Sequence, residues 1–390
     1  MKQKGTKLLI INTSVWAVMA VYTPFVAAYY TQCGLSTQQI GILLAIGPLM
    51  AILIQPQWAR VSDATGKRRG ILMLAALGSG VTVLLYTVKA GFYAFIIATV
   101  CFTAFQTAIL PLSDALIIQT AHNQGSDFAK IRMGGTIGYA IVALVLGNFI
   151  ETGSSAIFVL SAGAFLLLGG IVRLLPPDEK KMRSTDAAAQ TGKGGKVFRT
   201  KEIYLVLFLA LLLQVGLSVC SSFYSVYVIQ LGYGQSVVGL SSCISALSEL
   251  PILYFAHKLL KRYGAIPLLL FSVFMTSLRL ILSCSGFLPL MLASQLLQSV
   301  TYMTSYYSCA TYISENVLSG KISQGQSYLT MVQTGLGTIL GTVLGGYITG
   351  ITGIPKAFML IAALITFAGI LCLCVYRNQR RNMSWAEKRH

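Results

Sequence analysis

Apolar runs long enough to cross a bilayer recur from one end of the chain to the other. Each needs roughly 20 residues to span the hydrocarbon core. Read at that length, the pattern predicts twelve membrane helices at about 7–30, 38–59, 70–88, 92–118, 128–150, 155–175, 201–229, 236–257, 265–285, 287–314, 326–350 and 355–376. The one long polar stretch, PPDEKKMRSTDAAAQTGKGGKVFRTKE over 176–202, is charged, Gly-rich and nearly free of aromatics, as a flexible linker is. The expected organisation is therefore a six-helix bundle over 1–175, a cytoplasmic linker over 176–200, a second six-helix bundle over 201–376 and a cytoplasmic tail over 377–390. The fold class is an all-α membrane protein. The basic, apolar start MKQKGTKLLIINTSVWAVMAVY could pass for a signal peptide, but its apolar run continues to about Tyr30 and eleven spans follow, so a retained first helix is expected.

Six spans, a linker and six spans is the arrangement of a duplicated transporter. A faint internal echo supports it. ARVSDATGKRRG (59–70) and AHKLLKRYG (256–264) are both short basic turns that close on a Gly after the second span of each half. Small residues at four-residue spacing give a membrane helix a flat face for close backbone contact. Gly337, Gly341 and Gly345 in the eleventh span fit that rule, as do Gly134, Gly135 and Gly138 in the fifth. Such faces serve either static packing or a sliding seam between two rocking halves.

Polar residues inside the spans form stripes. The first span carries Asn12, Trp16 and Thr23; the fourth Thr103, Gln106, Ser113 and Asp114; the seventh Gln214, Ser218, Ser221 and Ser225; the tenth Gln295, Gln298, Tyr302, Ser305 and Tyr306. These are equivalent helices, one in each three-helix unit. Interhelical hydrogen bonds in a dry bundle, worth about 0.6–2 kcal/mol each, are the plain explanation. Stripes on four equivalent helices are better explained by a central wet cavity.

Full charges inside spans are rarer and cost about 2.5–3.5 kcal/mol at mid-helix, so they are kept with a partner or a task. Four qualify. Asp114 and Arg132 lie at matching depth near the cytoplasmic side and could form an ion pair. Glu249 sits near the middle of the eighth span, and Arg279 lies toward the outer end of the ninth. At 1.5 Å per residue their depths differ by roughly 7 Å, a gap an extended Arg can bridge. An acid withdrawn from water takes up a proton and yields it when a guanidinium approaches. Glu249 with Arg279 would then be a minimal device for coupling movement of a solute to a proton gradient.

Composition agrees: 55% of the 390 residues are hydrophobic and 10% are charged, against about 25% charged in soluble domains. The net charge of +18 would raise the question of nucleic acid in a soluble protein. Here all but three of the 29 Lys and Arg (the exceptions are Lys89, Arg279 and Lys356) fall in or near cytoplasmic segments if the amino terminus is inside. That is the positive-inside bias of a cell-membrane protein with both termini cytoplasmic, and no nucleic-acid partner is expected. The cysteines and the three histidines show no metal-ligand spacing, so neither metal, cofactor nor disulfide is expected. GKGGK in the linker lacks the spacing and the Ser or Thr of a phosphate loop.

The stretch VYTPFVAAYY…GLSTQQIGILLAIGPLMAILIQPQWARVSDATGKRR resembles the opening of the phenylpropionate permease and lactose permease branch of the major facilitator superfamily. So do PLSDALIIQ with DFAKIRMGGTIGYA, SELPILYFAHKLLKRYG and MTSLRLILS. Within ARVSDATGKRR, Asp63, Gly66, Lys67 and Arg68 match the superfamily's loop after helix two, a gating element, whereas Ala59 and Ala64 depart from it. The resemblance implies a proton-linked symporter working by alternating access, with no enzymatic chemistry. By the same resemblance, Arg132 stands at a substrate-site Arg, Asp114 near its acidic partner, and Glu249 and Arg279 close to an acid and an Arg of helices eight and nine. Helix ten departs: Gln298 and Thr301 stand where the sugar permease has its His and proton-carrying Glu, so coupling would rest on Glu249 and Asp114.

The expected function is proton-coupled import of a small organic solute through a cavity lined by Asn12, Trp16, Thr23, Gln106, Gln214, Ser221, Gln298, Tyr302 and Tyr306. Aromatic acids, sugars and nucleosides all suit such a lining, with the lipid bilayer as the other partner and a monomer as the expected assembly. Export or uncoupled facilitation on the same fold is the alternative. The Pro-free fifth span, RMGGTIGYAIVALVLGNFI, argues against proton-antiport export. A membrane sensor would need a folded output domain, and an intramembrane enzyme a His or other base at depth; the sequence offers neither.

Overall fold

The computed structural model describes residues 2–124, 128–151, 153–174, 198, 202–318 and 321–387. Most of the predicted linker lies outside these residues. Among them, eleven helices are long and apolar enough to cross a membrane. In chain order they are α1 (Thr6–Gln32), α2 (Thr37–Thr65), α3 (Arg68–Thr87), α4 (Phe92–Ile118), α5 (Ile131–Phe149) and α6 (Ala156–Leu174), then α7 (Glu202–Gln230), α8 (Gln235–Tyr263), α9 (Ala265–Ser283), α11 (Gln324–Thr352) and α12 (Ile354–Gln379). The predicted tenth span is helical but not uniform. It runs as Leu288–Leu296, a wider π turn over Ser299–Met303, and Thr304–Asn316, which together we label α10. Its Gln, Ser, Thr and Tyr residues make it more polar than the other spans.

Local chemistry sets the helix ends. Ser36 caps α2 reciprocally: its Oγ accepts from the Gln39 amide at 3.3 Å, and the Gln39 side chain accepts from the Ser36 amide at 3.0 Å. The same helix stops at Gly66, whose φ of 68° is a left-handed conformation that glycine adopts without strain. α1 bends at Thr23–Phe25, around Pro24, and then continues, so the long first apolar run is one span.

The chain divides into two compact units. Unit 1 comprises Met1–Gly195 with Ser225–Leu250, and unit 2 comprises Lys196–Tyr224 with Pro251–His390. The last turns of α7 and the first half of α8 thus belong to unit 1. In unit 1, Tyr29, Tyr86, Phe95 and Phe158 form a buried aromatic core, with the Tyr86 and Phe158 rings stacked at 4.8 Å. Its buried hydroxyls are satisfied: Tyr29 donates to the Tyr86 carbonyl at 2.9 Å, and Tyr86 to Thr99 at 3.0 Å.

The glycine faces pack within units. In unit 1, a Cβ on Gly134 would meet Leu9 at 2.3 Å, one on Gly135 would meet Trp16 at 2.5 Å, and one on Gly138 would meet Thr13 at 2.6 Å, so this face seats α5 on α1. In unit 2, Gly337, Gly341 and Gly345 face Gln214, Val215 and Val219, seating α11 on α7. Each stripe packs two helices of one unit together. Among the described glycines the tightest approach to another backbone joins α5 to α8 inside unit 1, where a Cβ on Gly239 would stand 2.4 Å from the Ala143 carbonyl and 2.9 Å from the Gly147 Cα. The contact continues through Ala140, Cys243 and Ala246.

Candidate functional site

In unit 1 the predicted residues of α1, α4 and α5 come together. Because Gly135 has no side chain, α1 can lie against α5, which puts Trp16 and Asn12 Oδ1 on either side of it. One turn below, Arg132 stacks its guanidinium on the Trp16 ring, 3.9 Å from the centroid. A desolvated cation–π contact of this kind is worth about 2 kcal/mol. Arg132 also reaches the Thr136 hydroxyl at 3.4 Å. Asp114 is within electrostatic range of Arg132, but the expected ion pair does not close; Asp114 Oδ1 is buried without a hydrogen-bond partner among the described residues. Asn12 anchors to the Ile131 carbonyl through Nδ2 at 3.1 Å, which leaves its Oδ1 buried and unpaired, and Trp16 Nε1 is unpaired as well. Two acceptors and one donor from α1 and α4 are thus left open around one stacked cation.

Glu249 belongs to the same unit. The α5–α8 register that runs from Gly147 and Gly239 to Ala140 and Ala246 brings Glu249 level with the turn carrying Tyr139, which lies within its electrostatic reach. Both membrane carboxylates therefore flank α5, Asp114 near Arg132 and Glu249 near Tyr139. Gln106 donates to the Met19 sulfur at 3.2 Å, which ties α4 to α1, and Thr23 lies exposed at the bend of α1.

Unit 2 holds a second group of the predicted residues. A cavity of about 140 Å³ is lined by Gln214, Tyr302, Tyr306, Gln326, Gln333 and Thr334 with their neighbours. The Tyr302 and Tyr306 rings are stacked at 6.3 Å. Gln214 is held by Ser218 at 3.3 Å and by Thr338 at 3.1 Å, and Ser221 on the same helix is exposed. The cavity is flanked by two π stretches, Ser299–Met303 in α10 and Met331–Gly337 in α11. In each, a Thr just beyond the wide turn donates to the carbonyl five residues back: Thr304 to Ser299 at 3.2 Å and Thr338 to Gln333 at 3.5 Å. Sequence reading missed the α11 wall. Its signal was there in Gln326, Thr330, Gln333 and Thr334, which recur at helical spacing.

Gln298 lies one turn before Tyr302 on α10 and accepts from Arg279, whose other partners are Gln295 and Thr301. Arg279 falls in unit 2 and Glu249 in unit 1. Between α2 and α3, Asp63 in the last turn of α2 pairs at 3.1 Å with Arg68, which opens α3; Gly66 makes the turn between them, and Lys67 is exposed. Among the described residues, no group of three or more His, Cys, Asp and Glu is placed to hold a metal ion.

Comparison with known proteins agrees with this architecture. The model of the MFS_1 like family matches residues 10–360. The uncharacterized transporter YwbF of Bacillus subtilis is 23% identical, with 87% of this chain and 86% of that protein covered. The maltose permease of Geobacillus stearothermophilus is 24% identical over 92% of this chain and 91% of its own. Among solved structures, the nucleoside transporter NupG superposes with a TM-score of 0.80 at 17% identity, covering 95% of this chain and 99% of that one.

Proposed function

From the premise that the chain belongs to the MFS_1 like family, and is a multi-pass membrane transporter of the major facilitator superfamily and not an enzyme, we propose that it imports a small organic solute together with protons by alternating access. The relatives are named for maltose and for nucleosides. An uncharged or weakly charged solute with a ring and several hydroxyls suits the stacked tyrosines and amides of the unit 2 cavity.

The observation that carries this reading is the set of open polar atoms around Arg132. A buried donor or acceptor without a partner costs about 1–3 kcal/mol unless water or a solute takes it up. Asn12 Oδ1, Trp16 Nε1 and Asp114 Oδ1 are three such atoms on two helices, beside one cation. A solute hydroxyl can donate to Asn12 or Asp114 and accept from Trp16 or Arg132. Loading would then replace orphaned groups with hydrogen bonds, and that gain is the differential affinity a conformational change requires.

Coupling falls to the two carboxylates of unit 1. Protonated, Glu249 is neutral and compatible with a desolvated state; ionised, it favours a state open to water. Asp114, close to Arg132, links the same choice to solute occupancy. Uptake of labelled maltose, uridine and phenylpropionate into proteoliposomes tests this, with the interior made alkaline or acidic. For the true solute, an inward proton gradient should raise initial uptake severalfold, and Glu249→Gln should abolish that stimulation while leaving exchange at equal pH. Accumulation driven only by the opposite gradient would mean export, and indifference to both would mean facilitation. Either result refutes the coupling assignment.

A further inference from the structure

Among the described residues of unit 2, Arg279 is a cation buried within a span, and its hydrogen-bond partners are neutral. Its side chain is 4% exposed. Nη1 donates to Gln298 Oε1 and, at 3.4 Å, to Thr301 Oγ1; Nη2 donates to Gln295 Oε1 at 3.0 Å. Nε is buried with no hydrogen-bond partner among the described residues. The amide oxygens orient the guanidinium without cancelling its charge. Behind Gln295 the polar groups are hydroxyls: its Nε2 donates to Ser294 at 3.1 Å, and Ser294 shares a 2.8 Å hydrogen bond with Ser283.

Unit 2 carries no carboxylate at this depth. Its sequence contains three acids, Glu202, Glu315 and Glu387. Glu202 opens α7, Glu315 closes α10, and Glu387 lies beyond α12, all at the end opposite the outer turns of α9. Arg279 is fourteen residues up α9 from Ala265, or roughly 21 Å at 1.5 Å per residue. Arg279 makes no ion pair among the described residues. A buried charge without a counter-charge is costly, and an Arg cannot shed its proton to escape that cost, so an anion from outside relieves it.

We propose that Arg279, oriented by Gln295, Gln298 and Thr301, is the centre of a buried binding site for a monovalent anion, a halide or the carboxylate of an organic solute. The open Nε–H is the donor that the anion takes up. The amides hold the two terminal nitrogens and so keep the guanidinium facing one way. This site is separate from the open atoms around Arg132, and its test needs no transport.

The test is thermal unfolding of the purified protein in detergent, with sodium isethionate, a bulky sulfonate that carries no carboxylate, exchanged for sodium chloride or sodium acetate at constant ionic strength. A ligand that binds only the folded state at 100 times its Kd raises the folded-to-unfolded ratio about a hundredfold. The melting temperature should therefore climb with the logarithm of one of the two anions. Arg279→Gln should remove the response. Gln298→Glu, which places a carboxylate against the guanidinium, should make the protein as stable in isethionate as the parent is in the active anion, and indifferent to both. That variant carries the test if Arg279→Gln does not fold. A response to chloride identifies a free halide, and a response to acetate alone identifies a carboxylate-bearing solute. A parent protein that responds to neither anion, or a Gln298→Glu variant that responds as the parent does, overturns the site.

Discussion

Trp16 carries two separable tasks, and one substitution tells them apart. Its ring supports the Arg132 guanidinium at 3.9 Å, and its Nε1 is buried without a partner. Trp16→Phe keeps an aromatic face and removes the orphaned donor. Removing an orphaned buried donor relieves a cost of about 1–3 kcal/mol, which offsets the ring area that Phe gives up, so this variant should melt close to the parent or slightly above it. A solute that accepts from Nε1 would lose a bond of about 1–1.5 kcal/mol, so its affinity should fall about tenfold. Trp16→Ala removes the platform too and should cost both stability and affinity. Isothermal titration beside a melting curve reads the two effects; equal losses of stability and binding in Trp16→Phe would make the residue structural. The sequence marked Trp16, Asn12, Asp114 and Arg132 because polar groups in a membrane helix are expensive wherever they stand. It also suggested an Asp114–Arg132 ion pair, which matching depth permits but packing does not deliver. Depth follows from residue number, whereas the direction of a guanidinium depends on which ring Gly135 lets in beside it.

The spans were legible because a twenty-residue apolar run has few other uses, and even α10 was found in spite of its polarity. Its π turn was not, since a single wide turn leaves no periodic signature in the residues. The glycine stripes illustrate a different limit. Four-residue spacing says that a backbone approaches but not whose, and the contacts assign the α5 stripe to α1 and the α11 stripe to α7. The tightest backbone approach among the described glycines, Gly239 on Gly147 and the Ala143 carbonyl, belongs to no stripe at all. There a methyl group has only backbone to push against. Gly239→Ala should therefore destabilise the protein by about 1–3 kcal/mol, the range for overpacking. Gly163, helical with nothing within 4 Å of its would-be Cβ, is the control. Gly163→Ala should be neutral or gain up to about 1 kcal/mol through helix propensity. Melting temperatures of the two variants in one detergent decide it, and matching behaviour would mean that the α5–α8 crossing is loose.

A transporter needs two conformations of nearly equal free energy, which makes it sensitive to contacts too weak to matter for folding. Asp63 and Arg68 form such a contact, 3.1 Å long, with side chains 66% and 39% exposed. An exposed pair of this kind contributes about 0–1 kcal/mol, little beside the several kcal/mol that hold a fold together. The same amount set against a balanced pair of conformations shifts their ratio severalfold, since about 1.4 kcal/mol is a factor of ten. A cytoplasmic turn would account for Arg60, Lys67, Arg68 and Arg69 by the positive-inside rule, but that rule has no need of an acid. We therefore assign Asp63 to holding the loop in one conformational state, with Gly66 supplying the left-handed turn that lets Arg68 fold back onto it. Asp63→Asn should leave expression, melting temperature and solute affinity close to the parent's and lower turnover severalfold, up to about fivefold for a pair worth about 1 kcal/mol, as read by solute exchange in proteoliposomes. Asp63→Glu, which keeps the charge, should recover part of the rate. Loss of expression in Asp63→Asn would make the pair a folding element, and unchanged turnover would leave the loop with topology alone.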